Sequence, residues 1–515
     1  MKDEHDDATN NHGGPDLAGF HSDGSRTHFN TGSPDGMRPV KTARRETPQL
    51  CSSITRLSVP TRSPGRRHSF NTPPSLVQHS VVTRSILHRH SFNTPSPLVQ
   101  HFIASFDHRP RSTIALVRPS ITPSLSISPA SPFELRMRYS SVILASLGSL
   151  AGQCGAVGVV GTAPGFAAGT TGGGSATPQY PADIDQLKTW LTDATARVIV
   201  LDREYNFIGS EGTVSEMGCR PASNKCGDTG QDAINGANWC KNGNAGPGSS
   251  EIPVTYDKAG FSAINVGSNK SIIGIGSAAV IRGKGLRMAN NAKNVIIQNI
   301  HITEINPQYI WGGDAIITAG ADLVWVDHCK ISLVGRQMFV ANAAPNRVTI
   351  SNTEFDGNTP WSATCNNQHY WAILLNGPDD RVTMQGNYIH HTSGRAPKIG
   401  GTALLHAVNN YWYAVDGHAF DNAVKGQVVA EGNAFQDVKT TLNANAGQMF
   451  TSPSASANTA CAADLGRNCQ LNSFSNSGPL PGSDTSFLVN FKGQNVAPAD
   501  AASNGAANTA GVGKI

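Results

Sequence analysis

From about Ser271 onward the chain repeats one pattern: a short β-branched run, a polar residue or asparagine, a second short run, then a loop. Residues 295–302, 348–355, 382–389, 404–412 and 428–435 all carry it, with asparagines at Asn299, Asn352, Asn387, Asn410 and Asn433. The last three of these asparagines are 23 residues apart; the earlier gaps are longer, as inserted loops would make them. No single run can form a core. Stacked one strand spacing per turn, the runs bury a continuous apolar interior, with the recurrent asparagine stacking at the bend and bonding along the coil. The pattern therefore predicts a parallel β-helix. A β-sandwich would instead want alternating strands joined by Asn-Gly or Asp-Gly hairpins, whereas these runs are continuous, as in sheets buried on both faces. A short helix over residues 183–193, with Ile184, Leu187, Trp190 and Leu191 on one face, is expected to cap the open end.

Composition fits a turn-rich β protein. The 515 residues include 53 Gly and 30 Pro, with only 15% charged residues, which excludes a coiled coil or helix bundle. The net charge of +4 is unevenly spread. Residues 1–136 hold 16 of the 40 Lys and Arg against 10 of the 36 Asp and Glu, and ten of the 17 His, while all seven Trp come later. Residues 140–515 carry 23 basic and 26 acidic groups, so whole-chain basicity is no argument for a nucleic-acid partner. The first 136 residues, rich in Ser, Thr, Pro, His and Arg, read as a disordered leader or as upstream sequence outside the mature protein. They contain one echo, residues 67–73 against 89–95, too little for a repeat array. Residues 137–156 follow the plan of a secretory signal peptide: Arg138, an apolar run too short to span a bilayer, then small residues. The expected order is leader, signal peptide, a β-helix over 157–494, and a flexible Ala/Asn/Gly-rich tail over 495–515.

Seven cysteines follow residue 156: Cys219, Cys226, Cys240, Cys329, Cys365, Cys461 and Cys469. None forms a CxxC zinc pair, and a secreted context favours disulfides. An odd count leaves at least one thiol free, and Cys329, inside an apolar run, reads as a buried one. Asn269-Lys270-Ser271 is a glycosylation sequon.

Several ordered motifs resemble the fungal pectin lyases: Trp311-Gly-Gly-Asp314, Trp325-Val-Asp-His328, Gly335-Arg336-Gln337, His369-Tyr-Trp371, Thr392-Ser-Gly-Arg395-Ala-Pro-Lys398 and the stretch 404–413. The likeness runs from about Val157 to Phe491 and leaves out residues 1–136. It implies a right-handed single-stranded parallel β-helix, extracellular and monomeric. It further implies no cofactor and no membrane partner, with β-elimination of methyl-esterified α-1,4-galacturonan to 4,5-unsaturated products. It also implies the pairs Cys219–Cys240, Cys226–Cys365 and Cys461–Cys469.

Elimination at a uronate ester needs a base for the C5 proton and positive charge on the enolate that forms. The resemblance assigns Arg395 as base. A free guanidinium has a pKa above about 12, so the role requires neighbouring positive charge that disfavours its charged form, which Lys398 and Arg336 would supply. Calcium in a sister pectate lyase would want several carboxylates. Here the matching positions hold Gly312, Asp314, Arg336 and Val340, so an arginine takes the cation's place, Asp314 is expected to pair with it, and no metal is expected. Trp311, Trp371, Tyr370 and Trp239 are candidates for stacking on sugar rings. His328 is expected in a buried hydrogen-bond network beneath the cleft; His369 and His391 carry no role. Two departures from the family pattern are Asn376 in place of Asp before Gly377 and the absence of a tryptophan after Cys219. The competing readings are a calcium-dependent pectate lyase and a β-helix that binds pectin without cleaving it. A glycoside hydrolase would need clustered carboxylates about the bond, which the runs around Asp314 and Arg395 do not offer.

Overall fold

The computed structural model describes residues 157–343 and 345–515; the leader, its internal echo and the signal peptide lie outside the described residues. Short strands wind into three parallel faces. The first includes Lys293–Gln298, Asp322–Asp327, Arg347–Ser351, Arg381–Gln385, Leu404–Val408 and Gln427–Glu431. The second includes His301–Ile305, Lys330–Val334, Glu354–Asp356 and Tyr388–His390, and the third Ile316–Ala319, Phe339–Asn342, Ile373–Leu375 and Lys398–Ile399. The long strand Tyr411–Asn422 joins the second face to the third. This is a right-handed parallel β-helix.

Register explains why continuous apolar runs were required. Val295, Val324, Val348, Val382, Leu405 and Val428 are partners on successive coils, and all are buried. Each contributes about 1.5–3 kcal/mol by leaving water. On the second face Trp412 stacks on Phe435 at 4.9 Å, and Phe435 on Phe474 at 5.1 Å. The helix Ile184–Thr192 closes the first coils, with Asp183 capping Gln186 N–H and Leu187 and Leu191 buried, as the 3.6-residue spacing predicts.

The asparagines divide into two sets where the sequence suggested one. Asn387, Asn410 and Asn433 form the inward ladder: Asn387 Nδ2 donates to Asn410 Oδ1 at 2.8 Å, Asn410 Nδ2 to Asn433 Oδ1 at 3.1 Å, and Asn433 to Asn472 at 3.0 Å. Asn299 and Asn352 stand one position earlier. They share the left-handed conformation with His328 and Asn409, and with Gly386 and Gly432. Six successive coils turn from the first face to the second through that left-handed residue, a conformation that favours Asn and Gly.

All three expected disulfides are present, and Cys329 is free and fully buried, its thiol pushed up to about 12 by burial. It sits between the carbonyls of Ile297 and Asp327 at the position the Asn ladder occupies on later coils. In the sequon, Asn269 Oδ1 accepts from Asn294 and Ser271 is buried. The segment 495–515 is not a free tail, which corrects the expectation. It runs back along the outer bend: Asp500 exchanges two hydrogen bonds with Asn409, Gly511 N–H reaches Asn352 O, and Gly513 N–H reaches Asn299 Oδ1 at 2.7 Å. The left-handed asparagines present these groups outward, which a composition-based reading of the tail could not register.

Candidate active site

Asp314, Arg336, Trp371 and Arg395 all fall at one corner of the coil, the bend from the second face to the third. Counting back from the register pairs Ile316↔Phe339↔Ile373 and Leu374↔Lys398↔Asp421 aligns Asp314, Gln337, Trp371, Arg395 and His418 as one column. Asp314 Oδ1 accepts the Gln337 N–H at 2.8 Å, and Gly313 O accepts the Arg336 N–H at 3.0 Å, so the carboxylate fixes the turn that carries Arg336.

Both arginines are buried, Arg395 to 3% exposure, and both converge on one indole. The Arg395 guanidinium carbon lies 4.8 Å from the Trp371 ring centre; that of Arg336 lies 5.7 Å from the same ring and 3.5 Å from Trp311. Trp371 is anchored by Nε1–H to Gln231 Oε1 at 3.0 Å. Gln231 Nε2 in turn donates to the carbonyls of Pro307 and Gly335, so one glutamine ties together the loops bearing Trp311, Arg336 and Trp371. Tyr370 meets Trp371 edge-on at 4.9 Å. Lys398 points outward on the third face, continuing the row Ile317, Val340, Leu374, with Asp421 Oδ2 3.9 Å from its Nζ. Val340 therefore offers an aliphatic side chain in that row.

His369 is buried and its Nε2–H donates to Arg336 O at 2.7 Å; burial lowers its pKa to about 4, so it is neutral. Trp239, 8% exposed, packs with Ala233 and Ala245 beside the Cys219–Cys240 bridge, in the same cluster as Trp371, which is 9% exposed. His328 does join a network, through Asp327 Oδ2 at 2.7 Å, but at the bend between the first and second faces and not beneath the arginines. Burial works against the Asp327 carboxylate, yet hydrogen bonds from His328, Ser351 and Gln298 hold it below the usual range. Asn376 lies beyond Ile373–Leu375, with its N–H on Ala341 O, at the far end of the third face from Arg395. His391 contacts His390, Nδ1 to Nδ1 at 2.9 Å.

Among the described residues, one trio, Glu354, Asp356 and His390, has metal-ligand spacing. The Lys330 ammonium already sits on both carboxylates, at 2.8 and 2.9 Å, and it lies on the second face away from the arginines. Further along the arginine bend, a groove of about 780 Å³ is lined by Gln368, Val415, Asp416, Val438, Lys439 and Asn476.

A family profile described as "Pectate lyase" matches residues 244–515. The chain is 51% identical over 386 residues to pectin lyase B of Emericella nidulans, covering 74% of this chain and all of that protein. It is 53% identical over 369 residues to a probable pectin lyase A of Aspergillus fumigatus, 71% of this chain and 96% of that one.

The chain belongs to the pectin lyase family.

A probable pectin lyase B of Aspergillus niger is 51% identical over 367 residues, 70% of this chain and 95% of its own length. Among solved structures, a pectate lyase bound to a hexasaccharide aligns with a TM-score of 0.45 at 14% identity, over 70% of this chain and all of that one. Within the pectin lyase frame, Arg336, Arg395, Trp371, Trp311, Tyr370 and Asp314 come together as the sequence motifs suggest, and Lys398 stands three residues on. Gln231, Asp421 and His418 were not singled out. Two of them had a signal: adding the 23-residue spacing of the late asparagines to Arg395 gives His418, and to Lys398 gives Asp421.

Proposed function

We propose that this chain cleaves methyl-esterified galacturonan by β-elimination, without calcium and outside the cell, with Arg395 as the base. The observation that carries the reading is the convergence of two buried guanidinium groups, Arg336 and Arg395, on the Trp371 ring. Such a site supplies positive charge from the protein itself where a metal would otherwise mask a uronate. A methyl ester is already neutral and needs no such masking.

Arg395, deprotonated, takes the C5 proton. That C–H electron pair becomes the C4–C5 double bond, the C4–O glycosidic bond breaks, and the leaving oxygen is protonated from solvent. Arg336 and Lys398 steady the negative charge that builds on the ester carbonyl. Asp421 holds Lys398 in place. Three disulfides support action in an oxidising, extracellular setting.

Ultraviolet absorbance of the unsaturated product tests this, with highly methylated pectin and polygalacturonate offered separately, each with calcium or a chelator. A rise on methylated pectin that ignores the chelator is expected. A rise on polygalacturonate only, and only with calcium, would make it a pectate lyase; no rise on either would leave a binding protein. Arg395→Ala is expected to abolish elimination with secretion and the thermal midpoint unchanged.

A further inference from the structure

Arg395 has φ +46, a left-handed conformation that costs a non-glycine residue about 1–2 kcal/mol. Its peptide must therefore be held from outside. The carbonyl accepts Ile373 N–H at 2.6 Å, an ordinary backbone rung. The amide does something different: it donates to the imidazole Nε2 of His418, one coil on, at 3.3 Å. On either side the peptide ladder is normal, with His418 N–H on Ser393 O and Ala396 N–H on Ala419 O. At this single rung an imidazole replaces a peptide carbonyl.

The surroundings are shaped for that ring. Gly417 lets the coils close, since a Cβ there would lie 1.8 Å from Ser393 O. At Gly394 a Cβ would lie 2.5 Å from the Tyr370 ring and 3.1 Å from His418 Cε1. His418 meets Tyr370 edge-on at 5.9 Å, Tyr370 meets Trp371 edge-on, and the Arg395 guanidinium lies over Trp371. The imidazole thus touches the backbone of Arg395 and Tyr370, which in turn packs against the Trp371 ring that seats its side chain.

We propose that His418 is the positioning residue of Arg395. Neutral, with its proton on Nδ1, it accepts the Arg395 N–H and fixes the torsions that aim the guanidinium. The proposal rests on the assignment of Arg395 as base. A buried histidine that merely packed would need no acceptor atom at Nε2, and that difference can be read.

His418→Leu keeps bulk and removes the acceptor; His418→Gln places a carboxamide oxygen near the Nε2 position. On highly methylated pectin, His418→Leu is expected to lower kcat about ten- to hundredfold, the scale of a displaced catalytic group, with KM within about twofold. His418→Gln is expected to recover kcat to within about threefold of the parent and to keep its thermal midpoint, whereas His418→Leu, which leaves the Arg395 N–H without an acceptor, should lower the midpoint while remaining folded at the assay temperature. Equal losses in the two variants, no loss in His418→Leu, or a kcat of His418→Leu that returns to the parent value when assayed well below its midpoint would overturn the proposal. Nitrogen-15 resonances of the parent imidazoles give a second reading that requires no folded variant. A His418 signal of the Nδ1–H tautomer is expected, and the Nε2–H tautomer would refute it. Arg395→Ala in parallel separates the two ideas: if it retains elimination, the base assignment fails, whereas a dead Arg395→Ala beside an unimpaired His418→Leu removes only the positioning role.

Discussion

Trp371 does three things with one side chain: it hydrogen-bonds Gln231, takes the Arg395 guanidinium on its ring, and lies within 5.7 Å of that of Arg336. A desolvated cation over an indole is worth about 1–2 kcal/mol. Trp371→Leu should therefore lower kcat by about tenfold on methylated pectin while far-ultraviolet dichroism stays unchanged; an unaltered kcat would show that the ring is wall and not seat. The site residues that share short motifs, such as Arg395 and Lys398 or Trp311 and Asp314, were legible because resemblance reads contiguous words. Gln231 was not, because it reaches the site from a loop 140 residues before Trp371. His418 and Asp421 carry a sequence signal only as the residues one 23-residue coil after Arg395 and Lys398.

At the level of the strand and its bend, the inward ladder is the element most exposed to test. Asn410 Oδ1 accepts from both the backbone and side-chain nitrogens of Asn387, while its Nδ2 serves Met384 O and Asn433. Asn410→Ala strands buried donors, each at about 1–3 kcal/mol. The denaturant midpoint should fall accordingly. The strands themselves were legible, since continuous apolar runs have few other solutions. The bend was misread by one residue: Asn suits both a left-handed turn and a buried ladder, and composition does not tell the two uses apart. The capping helix was legible to within a residue because Asp183 and a 3.6-residue apolar stripe coincide.

Across the whole molecule, one buried charge cluster ties the coil to its C-terminal covering. Glu431 lies on the first face, accepting from His406 Nε2 and bidentately from Arg467, each at 2.8 Å, and from Gln470 N–H. Burial alone would raise this carboxyl, but His406 and Arg467 outweigh it and bring the pKa down to about 2. A carboxylate depressed in the folded state adds stability above its unfolded pKa and loses it as pH falls through the folded value. Stability should thus drop between about pH 4.5 and 2, and Glu431→Gln should flatten that slope while lowering the plateau above it; an unchanged slope would remove Glu431 as its source. The Cys226–Cys365 bridge, 139 residues apart, acts on the same scale by tying the loop next to the cleft wall to the coil. Replacing both with Ser should lower stability by about 2–4 kcal/mol, read as a lower thermal midpoint.

A stack of coils touching only its neighbours would peel from either end one turn at a time, each rung opening independently of the next. The stretch from Pro498 to Gly513 forbids that, because it is stitched first to Gln385 and Asn409 and then to the earlier coils at Asn352 and Asn299. Coils made early are locked by residues made well after them. The stack is therefore expected to open in one concerted event, and a chain cut after Gln494 should instead fray gradually, with amide exchange spreading inward from its ends.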